Sequence, residues 1–247
     1  MELTFVGHST ALIEMDGVRV LTDPVLRRRV LHLERRATPP RVSELSHVDL
    51  VLVSHLHADH FDPRSLRKLD RGATFVVPCG TGRIATRVGF ARVIELSEGE
   101  TLTVAGLRIT ATHADHRPGR WPGGHSEAIG FTVAGERERA YFAGDTDVFD
   151  GMRALAGGLD LALLPVWGWG TQIGAGHLDP QRAVEALKLL EPRVAVPIHW
   201  GTLYPMGLRR FRRQILTEPP RAFARLAAER APAVDVRVLQ PGESTVI

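Results

Sequence analysis

Short apolar runs alternate with clusters of glycine, proline and charged residues along almost the whole chain. Such runs, bounded by turn formers, are typical of strands, whereas apolar residues three or four apart indicate one buried face of a helix. The predicted strands cover residues 3–6, 11–14, 18–21, 49–53, 74–77, 93–95, 101–104, 107–111, 129–133, 140–143, 159–164, 194–197 and 234–238. The predicted helices cover residues 63–69, 81–88, 149–156, 180–190 and 220–230. Early hairpins followed by alternating strands and helices predict an α/β fold, with two packed sheets and helices outside.

Residues 54–60 read Ser-His-Leu-His-Ala-Asp-His and directly follow a predicted strand. They place three histidines and one aspartate within six positions. Imidazole nitrogens and carboxylate oxygens are the usual ligands of zinc and related divalent ions. His55 and His57 are two residues apart, so they point to the same side of an extended segment. Asp59 and His60 follow where the chain turns toward the next predicted helix, which allows them to face a second ion. A solvated histidine-rich loop is the alternative interpretation.

Three later segments add side chains of the same kind. Residues 112–119, 142–147 and 194–202 read Thr-His-Ala-Asp-His-Arg-Pro-Gly, Phe-Ala-Gly-Asp-Thr-Asp and Val-Ala-Val-Pro-Ile-His-Trp-Gly-Thr. Each segment places a potential ligand just past the carboxyl end of an apolar strand, where sheet proteins gather their active-site groups. The histidine-rich motif therefore has partners elsewhere in the chain.

The HxHxDH element at 55–60, with the downstream aspartate and histidine, resembles the metallo-β-lactamase superfamily of binuclear metal hydrolases. Within it, the chain is most similar to the N-acyl-phosphatidylethanolamine phospholipase D and L-ascorbate-6-phosphate lactonase type of member, through the stretches at 4–10, 21–24 and 239–244. The resemblance covers nearly the whole chain. It implies an αββα sandwich of two mixed β-sheets flanked by helices, formed by a single domain over residues 1–247.

The resemblance also implies a ligand set for two divalent ions. The first ion is assigned His55, His57 and His116, the second Asp59, His60 and His199, and Asp145 bridges the two. His113 is the alternate ligand of the first ion, but Asp-His-Arg-Pro-Gly matches the corresponding turn of the superfamily and favours His116. Zinc is the first expectation for both ions, with manganese or iron as alternatives, because ligand types alone do not separate these metals.

Two divalent ions about 3.5–4 Å apart can share a water molecule and lower its pKa from about 16 to about 7. The predicted function is therefore a metal-dependent hydrolase that uses a metal-bridging hydroxide, with Asp59 orienting that hydroxide or shuttling its proton. The resemblance directs the activity to a phosphodiester or a phosphorylated small molecule. A lactonase or other carbonyl-centre hydrolase is the first alternative. An Arg-rich nucleic-acid-binding protein without catalysis is the second.

Three further residues are candidates for roles around the metal ligands. His177 precedes a helix that Asp179 caps, and the free amides at a helix start favour an anion. The matching histidine of the relatives faces the substrate phosphate, whereas simple helix capping is the alternative. His8 matches a Gly-His-Ala/Ser-Thr stretch of the same relatives, and a catalytic role or a loop-stabilising role is open for it. Asp23 is suited either to accept the outer N–H of a ligating histidine or to form an Asx-turn.

Composition narrows the remaining options. The chain has 247 residues with 44% apolar content and a single cysteine, Cys79, which excludes an intramolecular disulfide. No apolar run reaches the length of a membrane span and no secretory leader is recognisable, so a cytoplasmic location is expected. The net charge is +3, and the basic residues are almost all arginines, with clusters at 27–29, 35–36 and 209–213. These clusters are the best candidates for contact with an anion, and solvated charge runs without a function are the alternative. We expect a small anionic substrate and no nucleic acid, and a homo-oligomer is compatible with the sequence.

Overall fold

The computed structural model describes residues 1–45, 47–117, 127–168, 174–206 and 216–247. The strands are β1 (Glu2–Gly7), β2 (Thr10–Met15), β3 (Val18–Thr22), β4 (Arg29–Val30), β5 (Leu33–Arg35), β6 (Leu50–Leu52), β7 (Thr74–Pro78), β8 (Arg92–Leu96), β9 (Thr101–Val104), β10 (Leu107–His113), β11 (Ile129–Ala134), β12 (Arg139–Phe142), β13 (Leu161–Pro165), β14 (Val194–Ile198), β15 (Leu203–Pro205), β16 (Asp235–Val236) and β17 (Glu243–Val246). The helices are α1 (Val42–Leu45), α2 (Pro63–Leu66), α3 (Gly82–Thr86), α4 (Met152–Leu155), α5 (Pro180–Leu190) and α6 (Glu218–Arg230).

Two seven-stranded sheets, each mixed in direction, form the body of the molecule. The first has the order β17-β1-β2-β3-β6-β7-β8 and the second β16-β14-β13-β12-β11-β10-β9. In each sheet one half is antiparallel, and the other half is built from parallel pairs such as β3 with β6 and β12 with β13. A small third sheet, β15-β5-β4, lies beside them. Strands β1, β3 and β6 run in one direction in the first sheet, and β10, β12 and β14 share a direction in the second.

The main core fills the space between the two large sheets. Phe5 and Leu52 of the first sheet belong to the same buried cluster as Phe131 and Leu163 of the second. Removing a side chain of this size from water stabilises the fold by about 1.5–3 kcal/mol. A second cluster lies on the outer face of the first sheet, where Phe75 packs with residues of α2 and α3. The order helix, sheet, sheet, helix confirms the predicted αββα sandwich.

Helix α5 covers the outer face of the second sheet, and its sequence explains both its start and its buried side. Asp179 has extended backbone, and its carboxylate accepts a hydrogen bond from the backbone N–H of Arg182 at 2.8 Å, while Pro180 begins the helix. The residues that α5 buries against the sheet recur at helical spacing: Ala183, Val184, Ala186, Leu187 and Leu190. None of the helices in the described part of the chain has the length and apolar character of a membrane span.

Candidate metal centre

The predicted site residues come together at one edge of the sandwich, where the two sheets meet. His8 follows β1, His55 follows β6, His116 follows β10 and His199 follows β14, while Asp145 lies just beyond β12. All of these strands point their carboxyl ends toward the same edge, which is why residues far apart in sequence become neighbours.

The first group of side chains consists of three histidines and one carboxylate. Nε2 of His55 lies 2.9 Å from Nδ1 of His57, and Nε2 of His116 lies 3.3 Å from the same Nδ1. Asp145 Oδ2 is 4.0 Å from His55 Nε2. One ligand-type atom from each of these four residues lies within 4.8 Å of the others, so they surround a common point.

The second group lies next to the first and shares Asp145 with it. Asp59 Oδ2 is 3.4 Å from His60 Nε2 and 3.5 Å from His199 Nε2. The two oxygens of Asp145 reach the same nitrogens, Oδ2 to His60 at 3.3 Å and Oδ1 to His199 at 3.3 Å. His8 completes this group, because its Nε2 lies 3.0 Å from Asp59 Oδ2. The Asp145 carboxylate thus lies between the two groups.

These distances fit two metal sites better than a hydrogen-bonded core. Ligands bound at 2.0–2.1 Å in a tetrahedron lie about 3.3–3.4 Å from one another, and four of the eight atom pairs above have this separation. His60 Nε2 and Asp145 Oδ1 are buried and make no hydrogen bond within the described part of the chain. A buried polar atom without a partner costs about 1–3 kcal/mol. Cations bound between these atoms would satisfy them, so the donor set fits two divalent ions.

Outer hydrogen bonds fix how several of these histidines face the centre. Nδ1 of His116 donates to the backbone carbonyl of Gly176 at 2.9 Å, and Nδ1 of His199 donates to the carbonyl of Trp167. Nδ1 of His60 lies 2.6 Å from Asp23 Oδ2. Each of these rings therefore presents Nε2 inward, as expected of metal-binding histidines oriented by a carbonyl or carboxylate.

Asp23 is fully buried, and both oxygens of its carboxylate make close polar contacts. Oδ1 accepts from the backbone N–H of Ser54 at 2.7 Å, and Oδ2 accepts from the Ser54 hydroxyl at 2.6 Å as well as facing His60. Ser54 Oγ in turn lies 3.0 Å from Nδ1 of His55. Of the two interpretations drawn from the sequence, the contacts favour the one in which Asp23 orients a histidine.

The pKa values of the buried carboxyl groups and of His116 favour the binding of a cation. Burial alone would raise the pKa of the Asp145 carboxyl, but His199 and His60 hold it well below its usual range. Burial would likewise raise the pKa of Asp59, and His60 is the main cause of its net lowering. Burial lowers the pKa of His116 to about 4. The ionised carboxylates and the neutral ring of His116 are in the protonation states that bind divalent ions. Burial lowers the pKa of His60, but Asp145, Asp59 and Asp23 hold it well above its usual value, so an ion bound there would replace the proton on that ring.

The backbone at the site is unusual at several points. His8 and His199 have φ of 60° and 63°, and Asp23 has φ of 34°. Left-handed backbone costs non-glycine residues about 1–3 kcal/mol and clusters at functional sites. Gly144, with φ of +62°, precedes Asp145, and a Cβ there would lie 2.6 Å from Cβ of Ser54. Glycine therefore allows the Asp145 loop to approach the histidine motif.

Two other predicted histidines have different positions. His177 Nε2 lies 3.6 Å from Asp145 Oδ2, with its ring against that of His116 and its side chain 31% exposed. His113 is outside both groups: its Nδ1 lies 2.8 Å from Glu98 Oε2 on the surface. The structure thus brings His116, and not His113, to the centre.

In the described part of the chain, arginines of the predicted clusters form contacts with other groups of the same protein. Arg27 makes a two-pronged contact with Asp62, with distances of 2.7 and 2.9 Å. Arg35 is buried and donates to backbone carbonyls, including that of Val25. The cluster at 209–213 lies outside the described residues.

Sequence reasoning missed several groups that hold the site. Ser54 is the residue before the first histidine of the motif, and this position could have indicated that it contacts the site. The carbonyls of Gly176 and Trp167 have no sequence signal, because every residue carries a carbonyl and only the fold selects these two.

Comparison with known proteins identifies the family of this chain. The family described as "Beta-lactamase superfamily domain" matches residues 18–200. A UPF0173 metal-dependent hydrolase of Methanopyrus kandleri is 34% identical, over 99% of this chain and 99% of that protein. An N-acyl-phosphatidylethanolamine-hydrolyzing phospholipase D of Caenorhabditis elegans is 33% identical over 83% of this chain, which spans only 64% of that relative. Igni18, a metallo hydrolase of Ignicoccus hospitalis, has a TM-score of 0.74 at 27% identity, covering 99% and 97% of the two chains. The chain belongs to the metallo-β-lactamase superfamily, among its metal-dependent hydrolases.

Proposed function

We propose that this protein hydrolyses a phosphodiester or a phosphorylated small molecule at a centre of two divalent ions, with zinc as the metal. His55, His57 and His116 would hold the first ion, and Asp59, His60 and His199 the second. Asp145 would bridge them. The observation that carries the proposal is the position of the Asp145 carboxylate, 3.3 Å from His60 and from His199 and also beside the first group.

Bound here, two divalent ions would supply a hydroxide at neutral pH and polarise the scissile group of the substrate. Asp59 is suited to orient the nucleophile and to accept its proton, because its carboxylate lies among His8, His60 and His199. His8 would orient Asp59, since its buried ring lies 3.0 Å from Oδ2. Asp59 would therefore both hold the second ion and handle the proton, with His8 as its orienting partner.

His177 supports an anionic substrate. Its ring is partly exposed and lies beside Asp145, two residues ahead of the Asp179 cap of α5. A cation-capable donor next to the free amides of a helix start favours a negatively charged group. We propose that His177 contacts the substrate phosphate.

The worm relative supports phosphoryl chemistry, since its name describes a phospholipase D, a phosphodiesterase of lipids. The chain spans less than two thirds of that protein, so we do not extend the lipid itself to the proposed substrate. We propose a smaller molecule that carries the same phosphodiester or phosphate group.

A substrate panel tests this proposal against its alternatives. Zinc-loaded protein is assayed with bis-p-nitrophenyl phosphate and with a set of lactones, and the His57→Ala variant serves as the control for metal-independent turnover. We expect kcat/KM for the phosphodiester to exceed that for every lactone by about 10²-fold or more, a difference of about 2.7 kcal/mol in transition-state binding. The reverse ranking would make the protein a carbonyl-centre hydrolase. Tight, strongly salt-dependent binding of DNA or RNA without turnover would favour the nucleic-acid alternative.

A further inference from the structure

Asp147 lies two residues beyond Asp145 and is buried, although it is not a member of either ligand group. Its Oδ2 accepts from the backbone N–H of Gly176 at 3.2 Å and pairs with the guanidinium of Arg182 in the first turn of α5. Its Oδ1 accepts from the backbone N–H of Val148 at 2.6 Å. The carboxylate thus joins the Asp145 loop to the turn ahead of α5.

The turn that Asp147 holds touches the first ligand group directly. The carbonyl of Gly176 accepts from Nδ1 of His116 at 2.9 Å, and His177 is the next residue. Gly176 has φ of +86°, and a Cβ there would lie 3.4 Å from the His116 backbone and from Asp115 O. The turn therefore lies within van der Waals distance of the His116 segment, and its positive φ favours glycine at this position.

The His116 segment is tied to the Asp145 loop as well. The backbone N–H of Asp147 donates to the carbonyl of Asp115 at 3.0 Å, and the backbone N–H of Asp115 donates to Thr146 Oγ1 at 2.9 Å. Three segments that carry Asp145, His116 and His177 consequently meet at Asp147. The pairing with Arg182 keeps this buried carboxylate compensated and oriented.

We propose that Asp147, paired with Arg182, is a positioning residue for the metal centre. It fixes Gly176, whose carbonyl turns His116 so that Nε2 faces the first ligand group, and it places His177 beside Asp145. The inference rests on the proposed function, because it assigns a role toward the first metal ion. Asparagine at 147 would keep the size of the side chain but would present an amide N–H either to the N–H of Val148 or to both Gly176 and Arg182, which share Oδ2. In either orientation the neutral amide would weaken the pairing with Arg182.

Metal titration of the metal-free protein tests this role without substrate. Asp147→Asn is compared with wild type and with Asp160→Asn as a control. The control removes a carboxylate that pairs with Arg193 just before β13, at the end of the strands opposite to the candidate metal centre. The His57→Ala variant identifies which binding step belongs to the first site. We expect Asp147→Asn to weaken that step about 10–100-fold, as the loss of an outer partner does at other metal sites, and to leave the other step unchanged. The visible spectrum of the Co²⁺-loaded variant should shift at the same site, while Asp160→Asn should match wild type.

Equal affinities and equal Co²⁺ spectra for Asp147→Asn and Asp160→Asn would overturn the inference while leaving the proposed function in place. If wild type itself binds no metal, the proposed function fails and this assignment fails with it. If Asp147→Asn does not fold, the Arg182→Met variant tests the inference instead. It leaves the Asp147 side chain unchanged, and Arg182 is partly exposed, so this substitution is better tolerated. That variant should weaken the same step by less than Asp147→Asn but at least about threefold, less than the full effect of a lost charge-assisted hydrogen bond because Arg182 is partly exposed. An unchanged first step would overturn the inference.

Discussion

The imidazole of His8 lies 3.0 Å from the carboxylate of Asp59, with Nε2 facing Oδ2 in a buried position. The backbone of His8 is fixed on both sides: its N–H donates to Thr202 Oγ1 at 2.8 Å, and its carbonyl accepts from the N–H of His199 at 2.8 Å. One residue therefore links Asp59 and His199, which lie far apart in the sequence. This contact makes His8 the structural support of Asp59.

Replacing His8 by asparagine removes that support without disturbing the backbone. Asparagine tolerates the left-handed conformation found at this position, φ 60°, better than alanine does, but its side chain is too short to replace the imidazole ring. We expect kcat to fall about 10–100-fold while two metal ions remain bound at saturating metal, because Asp59 loses its orienting partner. Steady-state kinetics with parallel metal analysis measures both quantities. Unchanged kcat would leave His8 a purely structural residue.

Asp23→Asn should weaken the second metal site selectively. The carboxylate orients His60 through a 2.6 Å contact, and an amide cannot accept at both oxygen positions. We expect the affinity of the second site to fall about 10–100-fold, measured by competition with a chromogenic chelator. Asp62→Asn is the matched control, because Asp62 is equally buried but caps α2 and pairs with Arg27. Equal metal affinities for the two variants would contradict the role given to Asp23.

His177→Ala should separate substrate binding from metal binding. Its ring lies 3.6 Å from Asp145 and remains partly exposed. We expect kcat/KM for an anionic substrate to fall about 10–100-fold, the effect of losing one hydrogen bond to a charged group, with the metal content unchanged. His47→Ala, at a surface position, serves as the control. Kinetics equal to those of the control would remove His177 from the substrate site.

The metal-free protein should lose stability as the pH falls from about 6.5 to about 4. Burial lowers the pKa of His8 to about 3 and that of His116 to about 4, so these rings stay neutral in the fold while the unfolded chain takes up protons. Each such ring removes up to about 1.4 kcal/mol of unfolding free energy per pH unit in this window. The raised pKa of His60 gives stability that is fully present below pH 6.5 and is lost only as the pH rises toward the raised value. The lowered pKa values of Asp59 and Asp145 give stability that is lost only below about pH 4.

Urea unfolding of the metal-free protein at several pH values measures this slope. The His8→Asn variant should show a shallower slope than wild type, because it lacks one of the neutral buried rings. An unfolding free energy that stays constant or rises as the pH falls through this window would contradict the assigned protonation states.

Much of the fold was predictable because its strands are short apolar runs between strong turn formers. Strands without that pattern were missed: β17 carries exposed polar residues, and β15 is a three-residue strand that pairs with β5. The strand predicted at 234–238 is reduced to Asp235–Val236, at the edge of the second sheet. Pairing partners far away in the chain decide such strands, and the local sequence does not contain them.

The candidate site was predictable where ligand chemistry is concentrated in the sequence, as at 54–60. The contacts around it were less so. Asp23 had an equally good local explanation as a turn residue, and only its burial against Ser54 and His60 separates the two. The link from Asp147 to Gly176 joins residues brought together by two different loops, and no local pattern indicates it.

The metal content of the wild type and of Asp145→Ala, measured by mass spectrometry after loading with Zn²⁺ and removal of excess ion, tests whether one carboxylate joins two metal sites. We expect two ions per chain in the wild type, and loss of most bound metal and all turnover in the variant, because Asp145 lies between both ligand groups. A wild-type protein that retains no metal, or an Asp145→Ala variant that keeps both ions and its activity, would contradict this expectation.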